Sequence, residues 1–444
     1  MSKPNMSRLY GAAFGFNTHR RVKPVHFATG FFVALLGHRY KAELLNNVVA
    51  FRDGKDPKGD YTLERLHPKL VTLEKLNTKV SSRDLHILRR HLRCLAGNDE
   101  AVFPAYNPEK AGFGCDYSTA SHDMLTHTKD NDGFSGFFVC SILETTEDGR
   151  YVLEFARRCL NPSKPHTWRQ VFQPLLDAEQ IDTDEAGLYQ ERFGELDGKR
   201  VKRIAKSAAK QTSALRTLCE NADLLVATET KLRFLIIGLC VWLFHYLIEE
   251  SVGLSGETVV LLADVSGDSH SRMRAQSRWS YARLREALIA GFATFAKEGR
   301  FDECAEAWEY VENEQQGRPK FDEFYRELAL RSGLAQPRAS RVPAKHFEPQ
   351  PDTLRVLVLS LLPAASEFYP FANLLDRLFE VWGLVFGGRP QDAELLGQLR
   401  YVGLDQDTDL TPNAAALIDL LSGLGLATRL SDGLIMCHSE PRFR

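Results

Sequence analysis

No two of the eight cysteines in the sequence are spaced as Cys-x-x-Cys. That absence argues against a zinc ribbon and against a disulfide framework. Several of the cysteines lie in apolar or helical runs, as small buried thiols do. The N-terminal residues, MSKPNMSRLYGAAFGF, lack the continuous apolar segment of a signal peptide. Together these features predict a protein of the reducing cytoplasm.

The sequence also has no large excess of positive or negative charge. The formal net charge is −2, with 56 Lys and Arg against 58 Asp and Glu. A chain this close to neutrality does not attract nucleic acid over its whole surface. Any contact with phosphate groups must therefore come from a local basic patch.

The uninterrupted part of the most apolar segment is short for a membrane-spanning helix. This part covers residues 234–244, fewer than the roughly 20 residues that a membrane-spanning helix needs. The surrounding segment 231–250, KLRFLIIGLCVWLFHYLIEE, is apolar on nearly every face of a helix. Such a pattern is typical of a helix that is buried all round. We therefore expect a central buried helix and no membrane partner.

The P-loop, GxSxG and HExxH motifs of common enzyme classes are absent from the sequence. Nucleases of the restriction type place an Asp on one strand and Glu-x-Lys on the next, so that two carboxylates hold a divalent metal ion. The triplet Glu154-Phe155-Ala156 lacks the lysine, and Glu229-Thr230-Lys231, with Asp223 nearby, lies in a helix-like context. The sequence therefore favours a non-catalytic chain.

The length of 444 residues is enough for two or three domains. Proline-rich stretches at residues 161–174 and 332–352 are plausible boundaries. We predict a mainly α, multidomain protein with a small β component. Its parts are a mostly helical N-terminal domain (residues 1–165), a central helical domain (166–331), a linker (332–352) and a C-terminal module (353–444).

Two weak signals lie in the predicted N-terminal domain. Two short helices within residues 61–95, the second with Arg89 and Arg90 on its outer face, suggest a helix-turn-helix, although a helical hairpin with a solvated basic face has the same pattern. Further on, His122 and His127 lack an evident third ligand. A polar surface loop is therefore favoured there over a metal site.

The most basic segment of the chain precedes the apolar segment. Its cations cannot all face a core, because burying unpaired charges is too costly. They face phosphate groups, an acidic protein surface or water, and contact with nucleic acid is the leading interpretation. The predicted nucleic-acid-binding residues here are Lys199, Arg200, Lys202, Arg203, Lys206 and Lys210.

A second basic cluster follows the apolar segment. The cluster lies just before and at the start of an amphipathic helix predicted over residues 277–297. Its predicted phosphate contacts are Arg272, Arg274 and Arg278. Two clusters on either side of one buried helix strengthen the expectation of a phosphate-contacting surface in the central domain.

An acidic loop follows the clearest strand, residues 259–263. Asp264, Ser266 and Asp268 come at the carboxyl end of this strand, where α/β proteins bind ligands. The Asp-x-Ser-Gly pattern resembles the metal-ion-dependent adhesion site of von Willebrand A-like domains. That resemblance implies Mg²⁺ held by these three residues, although Asp268 replaces the second serine of the family. The alternative is a loop whose polar side chains cap the next helix.

The C-terminal module looks like a winged-helix domain. A helix over residues 413–424, capped by Thr411 or Asn413, is followed by a hairpin around Ser431-Asp432-Gly433. The recognition helix of a DNA-reading winged helix is basic, whereas this helix carries Asp419 as its one charge. A winged helix that contacts proteins is therefore favoured over one that reads DNA.

These observations favour a non-catalytic subunit of a DNA- or RNA-associated complex, bacterial in type, with genome defence as a natural setting. Nucleic acid and other protein subunits are the expected partners, the latter bound through the acidic helices of residues 300–330 and the C-terminal helices. No cofactor is expected beyond a possible Mg²⁺ at the Asp264 loop. The alternatives are a metal-dependent enzyme, such as a degenerate nuclease, and a purely protein-binding scaffold.

Overall fold

A computed structural model describes residues 6–18, 24–41, 133–160, 179–182, 184–225, 228–255, 260–297, 322–337, 344–364, 368–431 and 433–439. Within these ranges the protein is mainly α with a small β component, as the sequence predicted. The helix-turn-helix candidate at residues 61–95, the His122 loop and the acidic segment 301–316 lie outside the described residues.

The helices of the first half of the chain are α1 (Met6–Phe14), α2 (Pro24–Leu36), α3 (Ser135–Leu143), α4 (Glu147–Leu160), α5 (Glu185–Phe193), α6 (Gly198–Ser207) and α7 (Ala209–Asp223). From the sequence, residues 137–155 could form either a hairpin or two short helices. In the structure this segment forms the helices α3 and α4. Strands β1 (His38–Lys41) and β2 (Glu179–Asp182) form an antiparallel pair.

The later helices are α8 (Thr228–Ser255), α9 (Arg272–Lys297), α10 (Asp322–Arg331), α11 (Pro351–Leu359), α12 (Phe371–Trp382), α13 (Asp392–Gln398) and α14 (Thr411–Gly423). A short π-helix, Gln406–Leu410, runs directly into α14. The later strands are β3 (Leu261–Leu262), β4 (Ala335–Gln336), β5 (His346–Phe347), β6 (Tyr369–Pro370), β7 (Leu384–Val385), β8 (Ala427–Arg429) and β9 (Ile435–Cys437).

Helix α8 is the predicted central helix, and it is buried on almost every side. Helices α2, α4, α7, α9, α10 and α11 all pack against it. Its long apolar segment, Thr230–Gly253, has the length and composition of a membrane span, but 83% of its most apolar window is buried by the protein's own helices. The apolar character of α8 is therefore that of a core helix.

A small mixed sheet lies beside this core. Strand β3 pairs in parallel with β7, and Ala263 forms a parallel bridge to Phe347 of β5. Strand β5 in turn pairs antiparallel with β4. The sheet thus joins residues of the predicted central domain, linker and C-terminal module, while the buried apolar side chains form a cluster that extends from Tyr10 to Cys437. The division into domains stays a prediction.

The predicted C-terminal hairpin is confirmed. Strands β8 and β9 pair antiparallel, with Thr428 opposite Met436, and β6 adds to the other edge of β9. Helix α14 packs against β8. The winged-helix resemblance of this module stays a prediction.

Asn413 holds the ends of the parallel strands together. Its side-chain amide donates to the carbonyl oxygens of Ala263 (2.9 Å) and Phe386 (2.8 Å), and its Oδ1 accepts the backbone N–H of Val265 (2.8 Å). The side chain is fully buried. The prediction that Thr411 or Asn413 caps α14 is wrong, because the N-cap position is Leu410 and no side chain caps the helix. Asn413 instead satisfies backbone groups where the strands end.

Asn413→Ala should lower the free energy of unfolding by about 2–4 kcal/mol, because it leaves three buried backbone groups without a partner. Thr411→Ala, on the exposed first turn of the same helix, is the matched control and should change it by less than about 0.5 kcal/mol. Urea unfolding of both variants measures the difference. Equal losses in the two variants would show that Asn413 is not a clamp.

Helix α8 also carries a largely buried histidine. The side chain of His245 is 13% exposed, and its ring lies edge-on to Trp382. Burial lowers the pKa of His245 to about 4. Glu249 lies 3.6 Å from this ring, but burial and the charge of Glu250 raise the pKa of Glu249 to about 7. Between these two values both groups are uncharged, so the pair is not an ion pair.

The pKa of His245 gives the fold a defined pH dependence. Because the folded value lies below the ordinary value of about 6.5, the unfolded chain binds more protons between the two, and stability falls as pH drops through this window. His245→Phe, which keeps a ring against Trp382, should remove up to about 3 kcal/mol of this loss. Urea unfolding near pH 7 and near pH 4.5 provides the measurement.

Glu249→Gln is the control of opposite sign. The pKa of Glu249 is raised in the folded state, so its contribution to stability is present at low pH and is lost as pH rises through about 7. Because this change falls in nearly the same pH window as that of His245 and has the opposite sign, the variant should lose more stability from pH 7 to pH 4.5 than the unmodified protein does. A pH profile of His245→Phe that overlays that of the unmodified protein would contradict the assignment.

Candidate functional site

The basic segment predicted from the sequence forms α6 and the start of α7. The carboxylate of Asp197 caps α6 by accepting the N–H of Lys199 at 2.9 Å. Val201, Ile204 and Ala205 face the core, where all three are buried. Because these apolar side chains recur every three to four residues, the helix presents its remaining face to solvent.

Three lysines share that outer face. Lys199, Lys202 and Lys206 are exposed, and their spacing places them along one side of α6. Their ammonium groups contact no other described side chain. We call these three residues the lysine stripe. Lys210 is also exposed, at the start of α7. Its positive charge contributes a lowering effect to the pKa of Glu249.

The arginines between these lysines are already engaged. Arg203 makes two hydrogen bonds to Glu250, the shorter 2.6 Å long. Arg200 donates to the carbonyl oxygens of Gly11, Ala12 and Ala13 at the carboxyl end of α1. A cation at this position satisfies carbonyl groups that have no partner within the helix and opposes the helix dipole.

Two tyrosines complete the contacts at the end of α1. The hydroxyl of Tyr246 donates to the Phe14 carbonyl (2.9 Å), and that of Tyr189 donates to the Gly15 carbonyl (2.6 Å). Burial raises the pKa of Tyr189 to about 12, so this donor keeps its proton at neutral pH. We call Arg200, Tyr189 and Tyr246 the α1 clamp. The sequence gives no signal for it.

A cavity of about 340 Å³ lies where α1, α6, α8 and α9 meet. Its lining combines cations, carboxylates and apolar groups. They are Lys199, Arg200, Arg203, Asp197, Glu250 and Phe295, together with the two alanines at the end of α1. Lys199 therefore belongs both to the lysine stripe and to the cavity.

The second predicted basic cluster does not form one surface. Arg272 is exposed but lies 3.4 Å from Asp409 and donates to the Gly403 carbonyl. Arg274 is buried, where it pairs with Asp264 and, at 3.0 Å, with Glu348. Arg278 is half-buried. The sequence placed Arg274 on a phosphate-contacting face, but its charge is used inside the protein.

The Asp264 loop is built around that same buried ion pair. One oxygen of Asp264 pairs with Arg274, and the other accepts the N–H (3.0 Å) and hydroxyl (2.7 Å) of Ser266. Asp268 is exposed and caps the N–H of His270. The described residues contain no group of three or more His, Cys, Asp or Glu that could hold a metal ion. The expectation of Mg²⁺ at Asp264, Ser266 and Asp268 stays a prediction, although an arginine already holds the central carboxylate.

One of the carboxylates in the nuclease candidates, Asp223, likewise makes structural contacts. Asp223 pairs with Arg158 at 3.0 Å and with Lys231 at 3.4 Å, which ties α7 to α4 and α8. Glu154 is exposed on α4. Of the carboxylates that the sequence singled out, Asp223 thus holds three helices together.

Comparisons with models of protein families, with curated proteins and with solved structures find no match to this chain.

Removing one partner of the Asp264–Arg274 pair should be strongly destabilising, because it leaves a buried charge uncompensated. We expect Arg274→Met to lower the free energy of unfolding by about 3–5 kcal/mol. The double variant Asp264→Asn/Arg274→Met should be more stable than Arg274→Met alone, since the buried charge of Asp264 is also removed and the second partner of Arg274, Glu348, is 36% exposed. Arg272→Met on the exposed side of the same turn is the control, expected within about 0.5 kcal/mol of the parent. Additive losses in the double variant would argue against direct coupling.

Proposed function

We propose that this chain is a non-catalytic, nucleic-acid-binding subunit of a larger complex in the cytoplasm. It contacts the phosphate backbone through the lysine stripe. The observation that carries the proposal is that Lys199, Lys202 and Lys206 are exposed on one side of a rigid helix and contact no other described side chain. Ammonium groups held in this way are available to phosphate oxygens.

The different roles of arginine and lysine near the stripe support a contact with the phosphate backbone of nucleic acid. Arginine forks read guanine edges, whereas lysine acts on phosphate as a point charge. Near the stripe, the guanidinium groups of Arg200 and Arg203 are engaged within the protein. The charges that remain are therefore suited to binding without sequence preference.

The dimensions of the stripe limit how much nucleic acid it contacts. With a rise of about 1.5 Å per residue, Lys199 and Lys206 lie roughly 10 Å apart along α6. One lysine neutralises one phosphate, so the stripe releases the counterions of at most about three phosphates. This predicts weak, salt-sensitive binding, as suits a subunit that acts together with others.

The C-terminal module favours a second type of partner, another protein subunit. Phe368 beside β6 and Leu434 in the hairpin loop are 55% and 58% exposed. Leu420 on α14 is also exposed, and this helix carries no basic residue. Exposed large apolar groups beside a helix without cations suit protein contact better than phosphate contact.

Neutralising the stripe should abolish most binding to nucleic acid. We expect the unmodified protein to bind labelled duplex DNA at low salt, with the logarithm of the affinity falling by about 0.9 per contacted phosphate for each decade of salt. The triple variant Lys199→Gln/Lys202→Gln/Lys206→Gln should reduce this slope by about 2–3. Fluorescence anisotropy over a salt series provides both values, with single-stranded DNA and RNA measured in parallel.

The matched control removes the same amount of charge elsewhere. Arg150, Arg377 and Arg400 are exposed on other parts of the surface, and their replacement by Gln should leave affinity and slope nearly unchanged. The proposal fails if the unmodified protein does not bind at low salt, or if the control triple loses as much affinity as the stripe triple.

A further inference from the structure

We propose that the cavity beside the lysine stripe binds one nucleotide unit, with its phosphate, sugar and base each meeting a different part of the lining. The unit comes from a free mononucleotide or from the 5′-phosphorylated end of a strand. The second source rests on the proposed function, whereas the first does not. The cavity volume of about 340 Å³ is at the small end of ligand pockets, so it suits one nucleotide and not a longer stretch.

The charges around the cavity select an anionic group. Three cations and two carboxylates line it, which leaves a single positive charge in excess. Arg203 is neutralised by Glu250, and Arg200 is held by the carbonyl groups of α1. Lys199 is exposed, and its ammonium group contacts no other described side chain. The phosphate of the ligand is therefore assigned to Lys199.

The carboxylates of the lining suit hydroxyl donors. The side chain of Glu250 is 15% exposed, and the two hydrogen bonds from Arg203 hold it in place. Ionised carboxylates only accept hydrogen bonds, so a ligand beside Glu250 and Asp197 must bring donors of its own. Sugar hydroxyl groups meet this need, whereas a fully ionised phosphate does not.

The apolar side of the lining gives the third contact. Phe295, which is 6% exposed, lines the cavity together with Ala12 and Ala13 at the end of α1. A flat aromatic base packs well against a phenyl ring and small apolar groups. Inorganic phosphate alone would leave this side of the cavity without a partner.

The first experiment compares three probes in the full-length protein by ligand-observed NMR and calorimetry. Adenosine 5′-monophosphate should bind, and adenosine and inorganic phosphate should each bind at least tenfold more weakly. Lys199→Gln should weaken binding of the monophosphate at least tenfold. Lys206→Gln, in the stripe but outside the cavity lining, is the matched control and should alter it less than twofold.

Glu250→Gln tests the sugar contact separately. It should reduce the preference for adenosine 5′-monophosphate over its 2′,3′-dideoxy analogue, which lacks the hydroxyl donors. Because this variant also removes a partner of Arg203, its fold is checked by circular dichroism and urea unfolding. An unchanged preference in the folded variant contradicts the assignment of Glu250.

The source of the nucleotide is resolved by competition. A short oligonucleotide with a 5′-phosphate should displace adenosine 5′-monophosphate if strand ends are the natural ligand, and the same oligonucleotide with a 5′-hydroxyl should not. If neither oligonucleotide displaces adenosine 5′-monophosphate, the cavity is assigned to free nucleotides. Absence of mononucleotide binding, or equal weakening by Lys199→Gln and Lys206→Gln, overturns the cavity proposal. Salt-dependent duplex binding that persists in that case shows that the lysine stripe functions without the cavity.

Discussion

The structure depends on the need to cover an apolar helix on all sides. Helix α8 carries leucine, isoleucine, phenylalanine and tryptophan around its whole circumference, and six other described helices pack against it. Burying this much apolar surface is the main favourable contribution to folding. The same requirement fixes α7 and α9 against α8, and α6 leads directly into α7. The placement of the exposed lysines is thus a consequence of how the central helix is covered.

Polar side chains next to this core provide hydrogen-bond partners for buried backbone atoms. Asn413 joins the ends of two parallel strands, Ser280 donates to the Val260 carbonyl, and Arg200 satisfies the end of α1. An unpaired buried backbone group costs about as much as a lost hydrogen bond. Arginine and asparagine are well suited to this task, because each can contact several oxygen atoms at once. The compact ammonium groups of the lysine stripe remain at the surface, where they stay hydrated.

The parts of the fold that were predicted correctly depend on local sequence. The apolar composition of residues 231–250 is sufficient to identify a buried helix, and the Ser431-Asp432-Gly433 turn is sufficient to identify the hairpin. The contacts that define the candidate site are not local. Arg200 reaches α1 across a separation of 187 residues, and Asn413 reaches Ala263 across 150. No periodicity in a single sequence encodes such partners, so Arg200 could not be distinguished from the lysines beside it.

The α1 clamp connects the position of helix α1 with ligand binding in the cavity, as proposed above. Ala12 and Ala13 line the cavity, and the guanidinium group of Arg200 holds the carbonyl groups of the same two residues. A molecule that binds only when this wall is in place stabilises the docked helix by its own binding free energy, and docking of the helix strengthens binding by the same amount. Helix α1 is thus thermodynamically coupled to the proposed nucleotide site, whose charged groups are nearly two hundred residues away in the sequence.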